Sequence, residues 1–457
     1  MRSEISRRRF LAGSATAFGA IALAACGQVQ TTGEMMEEQA AEPEAEKEAV
    51  EEPVAEQVTI QFMWPPYSPA KERWYERLVT AYEEKNPNVT ISTILDTALN
   101  DRIGTNAAAG GGLLDVTWHG WGWARWGEEG VFLPLEPYVK ASGLNLDDYY
   151  KAAIDGVTWK GTLHALPLGI LTPVMALNLD MFATAGIEVP SDDWTFGDMI
   201  DIGAKLTDAA NGKWGVSTRF WYWSTWYVSY GRDQGSINNE WQTMSWDAPV
   251  RTELIRTRGD LFHKHQVEAY GDDAAEETIF DHFKNQKVAI YSGYNWLVPS
   301  FRTDAQFNWT LHPIPFIDFE GEPTRNGALY TEEIALVEGS KVLDHGWDFT
   351  AWICGPEQLD TAARNGDTTP TIKAIAESDA FINLDLPPGE RIIEYLRAME
   401  TAIPFLLHPI GGDLAGPLWK NAGQATQANP TLTPEEATRT AQGEAQAILD
   451  EYNASRQ

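Results

Sequence analysis

The segment VTIQFMWPPYSPAKERWYERLVTAYEEKNPNVTISTIL, Val58–Leu95, decides the fold class. VTIQFM is a short apolar run rich in β-formers and reads as a buried strand. Ser68-Pro69 then marks a helix start, because a serine side chain can cap the first free N–H groups and proline is tolerated in the first turn. Trp74, Leu78, Val79 and Tyr82 fall on one face of the helix that follows. Asn86-Pro87 ends it, and VTISTIL reads as a second strand. A strand, a helix and a strand in this order predict a β-α-β unit and hence a parallel sheet.

The alternation continues outward. A small-residue helix over Asn100–Gly112 leads to the strand DVTW. TFGDMIDIGAKLTD opens with Thr195 and Asp198 in capping-box spacing, and Asn211-Gly212 turns the chain into KWGVST. APVRTELIRTRGDLFHKH and ETIFDHFKNQ are expected helices, KVAIYSG and EIALVEG strands, and SKVLDHGWDFTAWICG a helix. Thr433-Pro434-Glu435-Glu436 caps a last long helix that runs to about Asn453. No repeat of 20–50 residues is visible. The predicted class is α/β with a helical C-terminal portion.

Ahead of this lies SRRRFLAGSATAFGAIALAAC, Ser6–Cys26. The apolar run from Leu11 to Ala25 would be roughly 22 Å long as a helix, short of the roughly 30 Å of hydrocarbon that a membrane span crosses. A basic start, a short apolar middle and small residues at its end describe an export signal over residues 1–25. Ser6-Arg7-Arg8-Arg9-Phe10-Leu11 resembles a twin-arginine signal. Leu23-Ala24-Ala25-Cys26 resembles a lipobox, which makes Cys26 the expected lipidation site and first mature residue. Residues 26–57 carry ten glutamates against one lysine and no apolar period, so they read as an acidic tether. The protein is therefore expected outside the cytoplasm, held to the cell membrane by lipid.

The net charge of −32 argues against nucleic acid and against docking on anionic lipid. With Cys26 used for the anchor, Cys354 has no partner and sits in an apolar helical context, as inert core. Nineteen tryptophans call for an explanation. Trp118, Trp121, Trp123 and Trp126 crowd TWHGWGWARW, with His119 among them, and Trp221, Tyr222, Trp223, Trp226 and Tyr227 crowd RFWYWSTWYVSYG. In open α/β sheets the carboxyl ends of strands face the ligand crevice. That rule places Trp64 and Trp118 there, with Tyr67 in the loop after Trp64. A sugar ring offers a C–H face for flat aromatic rings and a fringe of hydroxyls for carboxylates and amides. Other signals are weak. AAAGGGLLD lacks the Gly-Lys-Ser/Thr of a phosphate loop, and no metalloprotease helix, CxxC or nucleophile elbow occurs. No metal or cofactor is expected.

The order of these segments resembles the carbohydrate-type extracellular solute-binding proteins of ABC importers, the family that includes maltose-binding protein. The matching stretches include YEEKNPNVTI, NAAAGGGLLDVTW, EEGVFLPLEPYV, DGVTWKGTLHALPLGILTPVMALNLDMFATAGIEVPSDDWTFGDMIDIGAKLT, FDHFKNQKVAIYSGYNW and ALVEGSKVLDHGWDFTAWI. The resemblance implies two α/β lobes joined by a hinge, with ligand in the cleft between them. It puts crossings near Leu171–Pro173, Ala328–Glu332 and Cys354–Glu357. One lobe would hold 58–172 plus 330–355, the other 173–329 plus 356–457. It also implies that Trp296, in SGYNW, stacks on the sugar and that Glu332 or Glu333 accepts ligand hydroxyls. The ligand-binding set is thus Trp64, Tyr67, Trp118, His119, Trp121, Trp221, Trp223, Trp296 and Glu332. The implied partners are a mono- or oligosaccharide, permease subunits and a cytoplasmic ATPase. Two alternatives stay open: a surface carbohydrate-active enzyme, since acidic pairs such as Asp192-Asp193 abound, and a binder of a polyamine, with tryptophans as a cation–π cage.

Overall fold

The computed structural model describes residues 56–66, 68–120, 122–218, 242–269, 281–319, 322–325, 327–387, 389–404 and 408–456. The export signal, Cys26, nearly all of the tether, Tyr67, Trp121, Trp221 and Trp223 lie outside them. The segment that set the fold class folds as β1 (Val58–Trp64), α1 (Pro69–Lys85) and β2 (Val89–Leu95), with β1 and β2 parallel. Ser68 caps α1 by accepting from the Lys71 N–H, and Trp74, Leu78 and Tyr82 are buried as the periodicity requires. Helix α2 (Leu99–Ala108) then leads to β3 (Val116–His119), parallel to β1. The glycines after α2 have a packing reason. Gly111 sits at φ +85°, and a Cβ there would lie 2.7 Å from Gly339 Cα, so two backbones meet where no side chain fits.

Two larger sheets organise the described residues. The first takes β1, β2 and β3 together with β4 (Leu166–Leu171) and the long strand β8 (Ala328–Leu336), which runs antiparallel to both β3 and β4. The second contains β5 (Pro173–Asn178), β6 (Val288–Tyr294) and β7 (Trp309–His312), flanked by Trp214–Ser217. Between β4 and β5 stands a single residue, Thr172, at which the chain passes from one sheet to the other. Its surroundings are tightly bonded. The Asn295 amide nitrogen donates to the Ile170 carbonyl at 2.8 Å and to Thr369 Oγ1 at 2.6 Å, its oxygen accepts from the Thr172 N–H, and its own N–H donates to the Thr172 carbonyl at 3.1 Å. The Tyr294 hydroxyl adds a bond from the second sheet to the Ala328 carbonyl of the first, at 2.9 Å.

The caps read from sequence form as expected. Thr195–Asp198 and Thr433–Glu436 are both complete capping boxes, the second opening the helix Pro434–Ser455. Cys354 is fully buried.

Candidate functional site

Beyond the carboxyl ends of β2 and β3 the surface opens into a cavity of about 170 Å³, lined by Thr97, Ala98, Leu99, Asn100, Asp101, His119 and Gly120. Strand-end geometry explains its place. The loop after β2 must turn into α2, and that first turn carries Asn100 and Asp101, with Ala98 as an N-cap that makes no side-chain bond. His119, the last residue of β3, forms the floor and is 2 % exposed. Its Nε2 lies 3.1 Å from Asn100 Oδ1, which also accepts from Trp126 Nε1 at 2.8 Å. Burial pulls the imidazole down to about 4, against a smaller opposing pull from the Gly120 backbone, so His119 is neutral at pH 7. On the neighbouring strand, directly across from it, Glu333 is fully buried, and burial followed by the nearby Glu332 pushes its carboxyl well above the ordinary range.

The sequence-derived candidates separate. His119 lines the cavity. Trp64 and Trp118 stand at strand ends as expected, but their rings face the core rather than a crevice: Trp64 is 2 % exposed and stacks on Tyr75 at 4.8 Å, and the Trp118 ring packs over Gly120. Gly120 makes room for the Trp118 ring instead of baring it, which corrects the expectation drawn from local sequence. Glu332 is also corrected. Both of its oxygens accept from Lys71 Nζ, at 2.7 and 2.8 Å, and Oε2 accepts further from Thr368 Oγ1 at 2.9 Å. It is an interior ion pair, and no oxygen is left bare for a hydroxyl. Trp296, in the turn that ends β6, is half-buried and lines a water-sized cavity of about 10 Å³ with Leu171, Asn295, Thr368 and Thr369, beside the passage between the sheets. Asn100, Asp101 and Lys71 are absent from the sequence-derived set. A polar pair just past the end of β2, in DTALNDR, was the available signal for the first two.

The buried histidines carry a pH consequence. Burial leads the depression of His119, His312 and His408, each to about 4. Unfolded, each would take up a proton near pH 6.5; folded, none does until pH approaches 4. The unfolded chain therefore binds more protons in this window, and stability present above pH 6.5 is lost as pH falls to 4, by up to about 1.4 kcal/mol per pH unit per histidine. Glu333 works in the opposite direction, its contribution fading as pH rises above the ordinary carboxylate value. Burial also lowers His164 and raises Glu394, so four histidines stand against two carboxylates, and acid loss is expected to dominate. Melting temperature measured from pH 7 to 4 should fall steadily, and a flat profile would contradict this balance.

Two sheets joined at a single-residue passage, with a polar cavity at parallel strand ends, define a ligand-binding fold, and the sequence comparison gives its class. The profile described as bacterial extracellular solute-binding protein matches residues 77–387, and the chain belongs to that family. It is 26% identical over 344 residues to the mannitol-binding protein of Pseudomonas aeruginosa, covering 72% of this chain and 73% of the relative. In structure it is similar to an ABC substrate-binding protein of Listeria monocytogenes in complex with cycloalternan, with TM-score 0.77 and 18% identity over 86% of this chain and 100% of that one. It is similar also to the GacH receptor of Streptomyces glaucescens, solved unliganded and with acarbose, with TM-score 0.74 and 19% identity over 86% and 99% of the two chains. These likenesses show the fold, the two-domain architecture of periplasmic sugar-binding proteins. Among the described residues no helix is long and apolar enough to cross a membrane, and no group of three or more His, Cys, Asp or Glu could hold a metal ion.

Proposed function

We propose that this chain is the lipid-anchored substrate-binding component of an ABC importer, taking up a neutral polyhydroxylated solute, a sugar or sugar alcohol. The observation that carries the reading is the cavity at Asn100, Asp101 and His119. It offers uncharged hydrogen-bonding groups and one carboxylate, which suits hydroxyls, and its histidine is uncharged at pH 7. The relatives support this chemistry, since the curated one is named for mannitol and the solved ones are in complex with cycloalternan and acarbose.

In this reading one lobe comprises 58–172 plus 330–355 and the other 173–329 plus 356–457, with Thr172 at one crossing. Ligand held by both lobes stabilises the closed arrangement, and closure presents it to the permease subunits, which a cytoplasmic ATPase drives. The protein itself does no chemistry. Cys26 carries the lipid, and residues 27–57 hold the folded part off the membrane. Labelling with a lipid precursor, lost in Cys26→Ser, tests the anchor.

The ligand class is tested by a thermal-shift and calorimetric panel of mannitol, maltose, mannobiose and spermidine. A neutral solute should bind one to one with an affinity that hardly changes between 50 and 500 mM salt, because no ion pair is screened. Binding of spermidine alone, weakened tenfold by salt, would replace the sugar reading with a cationic one. Multiple turnovers of an oligosaccharide would make the protein an enzyme.

A further inference from the structure

The hydrogen bonds beneath the cavity have a direction. An indole N–H can only donate, so the Asn100 atom 2.8 Å from Trp126 Nε1 is the amide oxygen. His119 Nε2 lies 3.1 Å from that same oxygen. An amide oxygen cannot donate, so the proton of that bond sits on Nε2. Both lone pairs of the Asn100 oxygen are then taken from below. The neutral imidazole consequently carries its lone pair on Nδ1, which has no side-chain hydrogen bond among the described residues and lies 4.0 Å from Glu333 Oε1. Glu333 is fully buried, and among the described residues neither of its oxygens is hydrogen-bonded. At 4.0 Å, Glu333 and Nδ1 are beyond hydrogen-bond reach, and an ionised Glu333 would set a bare charge against that lone pair in the sheet interior.

We propose that His119 and Trp126, both donating to its oxygen, form a one-way relay that locks the Asn100 amide, so that Asn100 meets the ligand only as a donor, through Nδ2. The proposal rests on the cavity being the ligand site and names what that site selects. Asn100 gives a hydrogen bond to a ligand oxygen, while Asp101, next in the same helical turn, accepts one. A hydroxyl can do both, receiving from Asn100 and donating to Asp101. A ligand whose only group there is a donor, such as an ammonium, meets the wrong edge at Asn100. Asn100 is thus a specificity-determining residue for hydroxylated solutes, and His119 and Trp126 are positioning residues, since they act through it.

The relay is read without ligand by the ¹⁵N shifts of His119 in the full mature protein at pH 7. The expected pattern is a protonated Nε2 with an unprotonated Nδ1. An Nδ1–H tautomer, or an imidazolium, overturns the relay. The binding half uses whichever of mannitol, maltose or mannobiose the wild type binds. Asn100→Asp keeps the acceptor for Trp126 and His119 but turns the ligand-facing edge into an acceptor, and it should lower affinity at least tenfold in a folded protein. Trp126→Phe removes the indole donor to the Asn100 oxygen and should weaken binding several-fold in a folded protein. Unchanged affinity in Asn100→Asp, or in Trp126→Phe, overturns the assignment. If the wild type binds none of the three solutes, the sugar reading falls and the ligand role of Asn100 with it, while the ¹⁵N spectrum still decides the relay.

Discussion

Lys71→Met should cost the folded protein about 3–5 kcal/mol, the usual penalty for leaving one partner of a buried ion pair without its counter-charge. The side chains of Lys71 and Glu332 are 7% and 4% exposed, so water cannot replace the lost ammonium. The packing around the carboxylate is specific. Gly169 faces it from the neighbouring strand, and a Cβ at that position would lie 2.5 Å from Glu332 Oε2. Thr368 supplies one remaining hydrogen bond, too little to hold a buried charge. The double variant Lys71→Met/Glu332→Leu removes both charges and should recover most of the loss, since a buried pair replaced by apolar groups is often neutral in energy. Scanning calorimetry on both variants decides it. A single variant that melts with the wild type would mean that Glu332 finds another partner or accepts a proton at no cost.

Trp296→Ala should reduce sugar affinity about a hundredfold while the protein stays folded. The ring stands at the end of β6, half-buried, where Asn295 ties the turn to Ile170, Thr172 and Thr369 at the passage between the sheets. The backbone that carries the ring is thus tied in place. A large aromatic side chain can bury roughly 150–250 Å², and a fraction of that, at about 25 cal/mol per Å², amounts to a few kcal/mol. At about 1.4 kcal/mol per tenfold, this is roughly two decades of affinity. Stability should change less, because part of the ring already faces solvent. Titration calorimetry with the solute that the wild type binds measures the effect. Near wild-type affinity, or a chain that fails to fold, would make Trp296 a core residue.

The fold was readable from sequence because its signals are local. Ser68-Pro69, the two capping boxes and the apolar runs of β1, β2 and β6 each lie within a few residues, and each formed where the pattern placed it. The site was only partly readable because its determinants are distant in sequence. The tryptophan cluster pointed to His119, and strand-end geometry would have placed Asn100 and Asp101. It also placed Trp64 and Trp118, whose rings turn inward because of neighbours that a strand pattern does not contain, Tyr75 on α1 for one. Lys71 and Glu332 are 261 residues apart, and nothing near Glu332 announces an ammonium group in contact with it. The proton direction through His119 depends likewise on separate segments meeting, Asn100 of α2 with the end of β3 and Trp126.

The most direct test of the account is a crystal structure of the mature protein with the neutral solute that the binding panel selects. The account expects that solute in a cleft between the two sheets' lobes, a hydroxyl oxygen within hydrogen-bond distance of Asn100 Nδ2 and the Trp296 ring over its C–H face. A solute bound away from both Asn100 and Trp296 would contradict it.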